Sequence, residues 1–302
     1  VPTLESYLKP DVIQQVSRLD LKARFIVEGF IAGLHDSPYY GFSSEFSEHA
    51  KYNVGDEIKR IDWNVYARTD KYYIKRFQAE TNLCCYLVVD VSKSMGFSYG
   101  GAVTKLEYAT YMAAALAYLM VHQQDAVGLA TFDDSIRNYL RPKSKRSHLA
   151  ALLGALAQKP RDRMTHLAEC INQAAGLCRD RGLVILFSDL IPSEGESAED
   201  VIRALHHFSY RGHDVILFHV LDHAELTFPF GGPTRFIDVE SGREIKVNSD
   251  SVRRAYVQRV EAFRERYREA ALRARMDYVL VDTEASFDKV LVSYLLARKA
   301  RF

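Results

Sequence analysis

The sequence predicts an α/β protein built on a mostly parallel sheet with helices on both faces, preceded by a small amino-terminal α+β lobe. Three observations carry this. From Leu83 onward, apolar strand-like runs alternate with helical ones, the order expected when crossover helices join parallel strands. Two of those runs, Leu83 to Asp90 and Leu183 to Asp189, are apolar nearly throughout and stop at a carboxylate. Ahead of them, Tyr39 to Asn82 is aromatic and charged without helical period.

Taken in order, residues 4 to 34 read as helix, because Leu8, Val12, Val16, Leu19, Phe25, Ile26, Phe30 and Leu34 recur near helical spacing. Pro10 suits a first helical turn, and His35-Asp-Ser-Pro38 ends the segment. Short strands are expected around residues 46–52, 54–60 and 71–77, with a turn-like stretch from Ile61 to Arg68. Residues 1–80 are therefore assigned to the amino-terminal lobe and residues 81–302 to the large domain.

In the large domain, strand 83–90 leads to a helix from Lys105 to His122. Strand Ala126 to Phe132 leads through Asp133-Asp134 to a short run from Ser135 to Leu140. Helices near 147–157 and 166–181 precede strand 183–189, a helix near 196–211 and a strand from Asp214 to Asp222. Residues 234–240 and 244–247 flank Ser241-Gly242-Arg243, the signature of an inserted hairpin. A long arginine-rich helix near 251–275, a strand from Tyr278 to Asp282 and a helix near 287–299 complete the domain.

Composition narrows the function classes. The chain has 302 residues, 48% hydrophobic and 26% charged, ample for a large core. A net charge of +1 gives no whole-molecule attraction to nucleic acid or anionic membrane. The longest apolar run, Tyr108 to Val121, is about 14 residues and suits a buried helix rather than a membrane span. No secretory leader is visible, and the four cysteines at 84, 85, 170 and 178 have neither C-x-x-C nor zinc spacing. Free thiols in a reducing cytoplasm are the expectation.

Chemistry concentrates in Asp90-Val-Ser92-Lys-Ser94, in the loop that leaves the first buried strand. One carboxylate and two hydroxyls in a tight loop supply only hard oxygen donors, which suits Mg2+ or Mn2+. The bland alternative is a turn and helix cap, roles in which Asp and Ser are common. In an open parallel sheet ligands gather at the carboxyl ends of strands, so Asp189 is expected beside Asp90. Two carboxylates about 4 Å apart repel by roughly 4 kcal/mol at an effective dielectric near 20, and a divalent ion between them relieves this. Thr165, just ahead of a helix, is a further candidate oxygen donor or else a plain N-cap.

Asp90-x-Ser92-x-Ser94, a threonine before a helix and an Asp ending a later strand resemble the metal-ion-dependent adhesion site of von Willebrand factor A domains. The resemblance implies a von Willebrand factor A-like fold. It also implies that Ser92 and Ser94 bind the ion directly, while Asp90, Thr165 and Asp189 bind directly or through water. One coordination position is left for a partner's carboxylate. A further set, Tyr52-x-x-Gly55-Asp56, Arg60-x-Ile-Asp62-Trp63, Ala67-Arg68 and Phe77-x-x-Glu80, resembles the bacterial domain-of-unknown-function family fifty-eight. Members of that family are typically encoded beside MoxR-type AAA+ ATPases. Two departures stand out: Arg161-Asp-Arg-Met164 lacks the glycine often found before the threonine, and the transmembrane helices of many relatives have no counterpart in this sequence.

Other patterns weigh less. Asp133, Asp222 and Asp282 also end strands, but Asp favours turns. Lys71 to Phe77 interleaves basic and aromatic residues, a weak nucleic-acid signal at +1 overall. Asp62, Trp63 and Arg68 read as structural, and the arginine-rich helix as a solvated face with Glu261, Glu265 and Glu269 in ion-pair reach. No nucleophile elbow, phosphate loop, dinucleotide fingerprint or metalloprotease spacing is present. The expectation is a non-enzymatic, cytoplasmic, Mg2+- or Mn2+-dependent protein-binding module. It recognises an acidic residue of a protein partner and works with a MoxR-type ATPase in maturation or assembly of client proteins. The alternative is a magnesium-dependent phosphoesterase.

Overall fold

Residues 43–51, 62–80, 84–100, 103–157, 166–238, 242–285 and 290 are described by a computed structural model of the protein. The expected helix over 4–34, the strand near 54–60, Thr165 and, apart from Val290, the final helix near 287–299 lie outside the described residues. Residues 39–82 and the chain from Leu83 onward fall into two separate units.

In the smaller unit, strands β1 (Ser43–Lys51) and β2 (Tyr73–Glu80) pair antiparallel, with a bulge between Phe46 and Glu48. The stretch expected to be turn-like contains a helix instead, α1 (Trp63–Thr69). Asp62 starts it: its Oδ1 accepts the Val65 amide at 3.4 Å and its carbonyl accepts the Tyr66 amide at 3.0 Å. The Tyr66 ring stacks on Tyr72, with centroids 4.6 Å apart. A run of only seven residues shows no clear helical period, and its capping aspartate is what defines it.

The larger unit is organised by a six-stranded sheet. Its strands are β3 (Cys84–Asp90), β4 (Ala126–Phe132), β5 (Ile136–Lys143), β6 (Leu183–Ser188), β7 (Asp214–Leu221) and β10 (Asp277–Asp282), in the order β10-β7-β6-β3-β4-β5. Every pairing is parallel except that of edge strand β5 with β4. The chain builds outward from β3 through β4 and β5, then crosses back to begin again at β6. The order therefore reverses between β3 and β6, the position at which open α/β sheets bind ligands beyond the carboxyl ends of their strands.

β5 runs to Lys143, past the expected end at Leu140, because an edge strand tolerates the missing amide of Pro142. Opposite it, Gly128 makes room, since a Cβ there would lie 2.9 Å from the Pro142 ring.

Helices cover both faces. On one side α4 (Leu167–Leu177), α5 (Ala198–Tyr210) and α7 (Ser249–Arg273) share a core with Tyr86, Val88, Val184, Leu186 and Leu217. The alternate strand residues Cys85, Leu87 and Val89 are equally buried and face the other way, towards α2 (Lys105–His122), with α3 (Arg146–Leu156) beside it. Cys84 and Cys85 thus point to opposite faces, and all four cysteines are free thiols.

α6 (His223–Thr227) follows β7, and the inserted hairpin is β8 (Pro233–Ile237) with β9 (Glu244–Asn248). α4 stops at Leu177, short of the expected 181, because His213 Nε2 donates to the Cys178 carbonyl at 3.2 Å and draws the chain towards β6. No helix among the described residues is long and apolar enough to cross a membrane.

Candidate metal centre at the carboxyl edge of the sheet

The loop after β3 is shaped by its own aspartate. Asp90, 1% exposed, accepts the Ser92 amide on Oδ1 at 2.9 Å, which turns the chain and brings Ser92 Oγ to 3.0 Å from Ser94 Oγ. Ser94 opens a short 3-10 turn through Gly96. From the neighbouring strand, Ser188 Oγ donates to Asp90 Oδ2 at 2.7 Å and ties the ends of β3 and β6 together.

Asp189 follows immediately, also 1% exposed, and then Leu190 takes φ 55°, a left-handed conformation that a buried leucine rarely adopts. The turn is pinned on both sides: His219 Nε2 donates to the Asp189 carbonyl at 2.9 Å, and the Tyr267 hydroxyl donates to the Leu190 carbonyl at 3.0 Å. Because Nε2 carries the proton, Nδ1 of His219 accepts from the Tyr278 hydroxyl at 2.7 Å. Such over-determination is what sustains local strain at a site.

The residue that spacing did not reveal is Lys105. It is the first residue of α2, fully buried, and its Nζ donates to Asp189 Oδ2 and to Glu225 Oε1 at 2.8 Å each. Burial alone would lower its pKa, but the two carboxylates more than reverse that, so it remains an ammonium. Glu225 belongs to the capping box of α6, and burial raises its carboxyl despite Lys105. Asp90 is pushed up to about 7, by burial first and by the Asp189 charge second. A sequence signal for Lys105 existed: a lone lysine opens an Ala- and Leu-rich buried helix, at the end where a helix dipole favours acids.

Two carboxylates, Asp189 and Glu225, flank the Lys105 ammonium. Asp90, raised by burial and by the Asp189 charge, is held by Ser92 and Ser188 and has no ion pair among the described residues. Among the described residues no group of three or more His, Cys, Asp or Glu is placed to hold a metal, so any ion here depends on the serine hydroxyls. The donors are hard oxygens throughout, which fits Mg2+ or Mn2+ and not a thiophilic ion. Ser92, Ser94 and Asp90 form one cluster. Asp189 stands beside it with both oxygens engaged, Oδ2 by Lys105 and Oδ1 by the Ile191 amide at 3.2 Å. Thr165 is outside the described residues, but the first amides of α4 already find acceptors: Glu196 takes those of Leu167 and Ala168 at 3.1 Å each.

The remaining strand-end acids have structural partners. Asp222 caps α6 through the Ala224 amide at 2.9 Å, Asp282 pairs with His223 at 2.8 Å, and Asp133 accepts the Asp134 amide at 2.8 Å.

Comparison with known proteins agrees with the resemblance to family fifty-eight. An uncharacterized protein of Mycobacterium tuberculosis is 27% identical over 244 residues, 79% of this chain and 75% of the relative. Similar solved structures include conserved hypothetical protein BatB of Bacteroides thetaiotaomicron, 18% identical with a TM-score of 0.44, covering 73% of this chain and 100% of that one. An aerotolerance-related membrane protein of Bacteroides fragilis is 17% identical with a TM-score of 0.45, covering 73% of this chain and 100% of its own. Scores this low add nothing to the strand order described above. The sequence match is decisive, because the model of the family described as "Protein of unknown function DUF58" matches residues 48–266, and the chain belongs to that family.

Proposed function

We propose that this chain is a non-catalytic, cytoplasmic protein-interaction module that holds Mg2+ or Mn2+ at the carboxyl edge of its sheet and presents the ion to an acidic residue of a protein partner. The observation that carries the reading is the convergence of Ser92 Oγ and Ser94 Oγ to 3.0 Å beside buried Asp90, which lies next to the Asp189 charge and has no ion pair among the described residues. Ser92, Ser94 and Asp90 would hold the ion, and Thr165 remains a candidate ligand. Asp189 contributes its charge from beside them, held in place by Lys105. When bound, the ion would supply a Lewis-acidic position for an incoming carboxylate.

The protein's own residues prepare that position. Ser188 and the Ser92 amide orient Asp90, while Lys105, His219 and Tyr267 fix the Asp189–Leu190 turn, so little reorganisation accompanies binding. The free thiols suit a reducing compartment. Family membership, together with the association of this family with MoxR-type AAA+ ATPases, supports such an ATPase as the partner system in maturation or assembly of client proteins.

Calorimetric titration with MgCl2 and MnCl2 tests the site. The wild type is expected to bind one ion, and the double variant Ser92→Ala, Ser94→Ala to lose at least tenfold in affinity. Equal binding by both proteins sinks the proposal. Magnesium-dependent turnover of p-nitrophenyl phosphate that disappears in Asp90→Ala would favour the phosphoesterase instead.

A further inference from the structure

A cavity of about 600 Å3 opens between α6, the β8–β9 hairpin and α7, beside the candidate metal centre. We propose that it is the docking pocket for a segment of a protein partner in which a bulky apolar side chain stands next to a carboxylate, with Arg259 receiving the carboxylate. The inference rests on the interaction-module reading but not on the metal.

The walls are aromatic. Phe228, 4% exposed, reaches φ 51° as α6 ends, which lays its ring 4.4 Å from Tyr256 of α7 and 5.5 Å from Phe236 of the hairpin. Phe230 closes another side, 5.1 Å from Phe236. On the hairpin, Phe236 is paired with Ile245, so both side chains leave the same face, and Ile245 remains 61% exposed at the mouth. Tyr99, 51% exposed, extends the apolar rim by packing on Phe230 at 4.6 Å. A volume of this size among large apolar side chains suits a ligand-sized group, and open apolar surface around it marks an interaction site.

Charge selects the occupant. The cavity is lined by one carboxylate, Glu225, whose Oε1 receives Lys105 and whose Oε2 receives the Asp222 amide at 2.8 Å each, so it calls for no further cation. Arg259 is the opposite case. Along α7, Arg253, Arg264, Arg266, Arg268 and Arg273 each pair with a carboxylate, of Asp250, Glu261, Glu199, Glu265 and Glu269 respectively, whereas Arg254 and Arg259 do not among the described residues, and of these two only Arg259 lines the cavity. Arg259, on the cavity wall, is exposed and has no such partner among the described residues. An apolar pocket with an unspent guanidinium at its edge complements an apolar side chain flanked by Asp or Glu. The exposed rim at Ile245 and Tyr99 gives neighbouring residues of an extended segment a surface to lie on, which a small free ligand would leave uncovered.

The test is selection of a random seven-residue peptide display library on the full chain, with thermal melts to confirm that each variant folds. Wild type is expected to enrich Trp, Phe, Leu or Met beside Asp or Glu. Ala255→Trp, which fills the cavity from α7, should cost the enriched peptide at least tenfold in affinity by fluorescence anisotropy. Arg259→Glu should keep the apolar residue but switch its neighbour to Lys or Arg, and Arg259→Lys should retain the acidic preference. Absence of any enriched pattern, enrichment indifferent to both changes, or wild-type self-association abolished by Ala255→Trp would overturn the proposal. Repeating the anisotropy in chelator with the Ser92→Ala, Ser94→Ala variant separates the two readings, since pocket binding should persist when the metal site fails.

Discussion

Lys105 shows how a single side chain can set the character of a site. An ammonium with no exposed surface is tolerated only when its partners are fixed, and Asp189 and Glu225 meet it at 2.8 Å from two different elements. Breaking such a pair leaves a buried carboxylate unpaired, so Lys105→Met is expected to lower stability by ~3–5 kcal/mol. Urea unfolding would read this as a lower midpoint at constant slope. In the double variant Lys105→Met, Asp189→Asn part of the loss should return, because the carboxylate left bare is then gone. A loss below about 1 kcal/mol in the single variant would show that the pair is not a buried one.

Ser188 makes the same point on a smaller scale. Its hydroxyl is the direct tie between the two acidic strand ends, and Ser188→Ala should weaken ion binding by leaving Asp90 Oδ2 without a donor.

At the scale of elements, strand β6 sits against β3 so closely that the residue before it must be glycine. A Cβ on Gly182 would lie 2.0 Å from the Cys84 carbonyl oxygen, and since that atom is backbone the strands themselves would have to part. Gly182→Ala is therefore expected to cost ~3 kcal/mol or more, by forced overpacking. Gly154 is the control: it lies within α3, a Cβ there meets nothing within 4 Å, and Gly154→Ala should stabilise by ~0.5–1 kcal/mol through helix propensity. Differential scanning calorimetry of the two variants should move the midpoint in opposite directions.

The elements also show where local pattern stops being informative. The strands β3, β6 and β7 are legible because burial on both faces demands nearly continuous apolar runs, interrupted in β7 only by His219. α1 was not, since one capping aspartate decides a short helix. The end of α4 was not either, since His213, 35 residues away in the chain, pulls on Cys178.

At the scale of the whole molecule, three buried histidines among the described residues make stability depend on pH. Burial holds His148, His213 and His219 below the ordinary imidazole value, His219 at about 4. An unfolded histidine titrates near 6.5. Between pH 6.5 and about 4 the unfolded chain thus takes up a proton that folded His219 refuses. Its contribution is full above that window and falls by ~3 kcal/mol across it. Asp90 works the other way, because a carboxyl raised to about 7 is protonated in the folded state first and favours folding as the pH drops. The comparison that isolates the histidine is wild type against His219→Gln. The stability difference between them should shrink by about 2 kcal/mol from pH 7 to pH 4.5, and a constant difference would contradict a neutral, buried His219.

Alternating strands and helices, apolar runs ending in acids and the Asp90-x-Ser92-x-Ser94 loop determined the α/β class, the mostly parallel sheet and one corner of the candidate site. These are short-range signals, imposed by burial period and by a loop that closes on its own aspartate. Only the tertiary structure decided that Lys105, Glu225, Ser188, His219 and Tyr267 support that corner, and that an aromatic cavity opens next to it. Those residues come from separate elements that meet only because the strand order reverses between β3 and β6. Nothing in their spacing along the chain encodes the meeting, which follows from the free energy of closing both faces of the sheet.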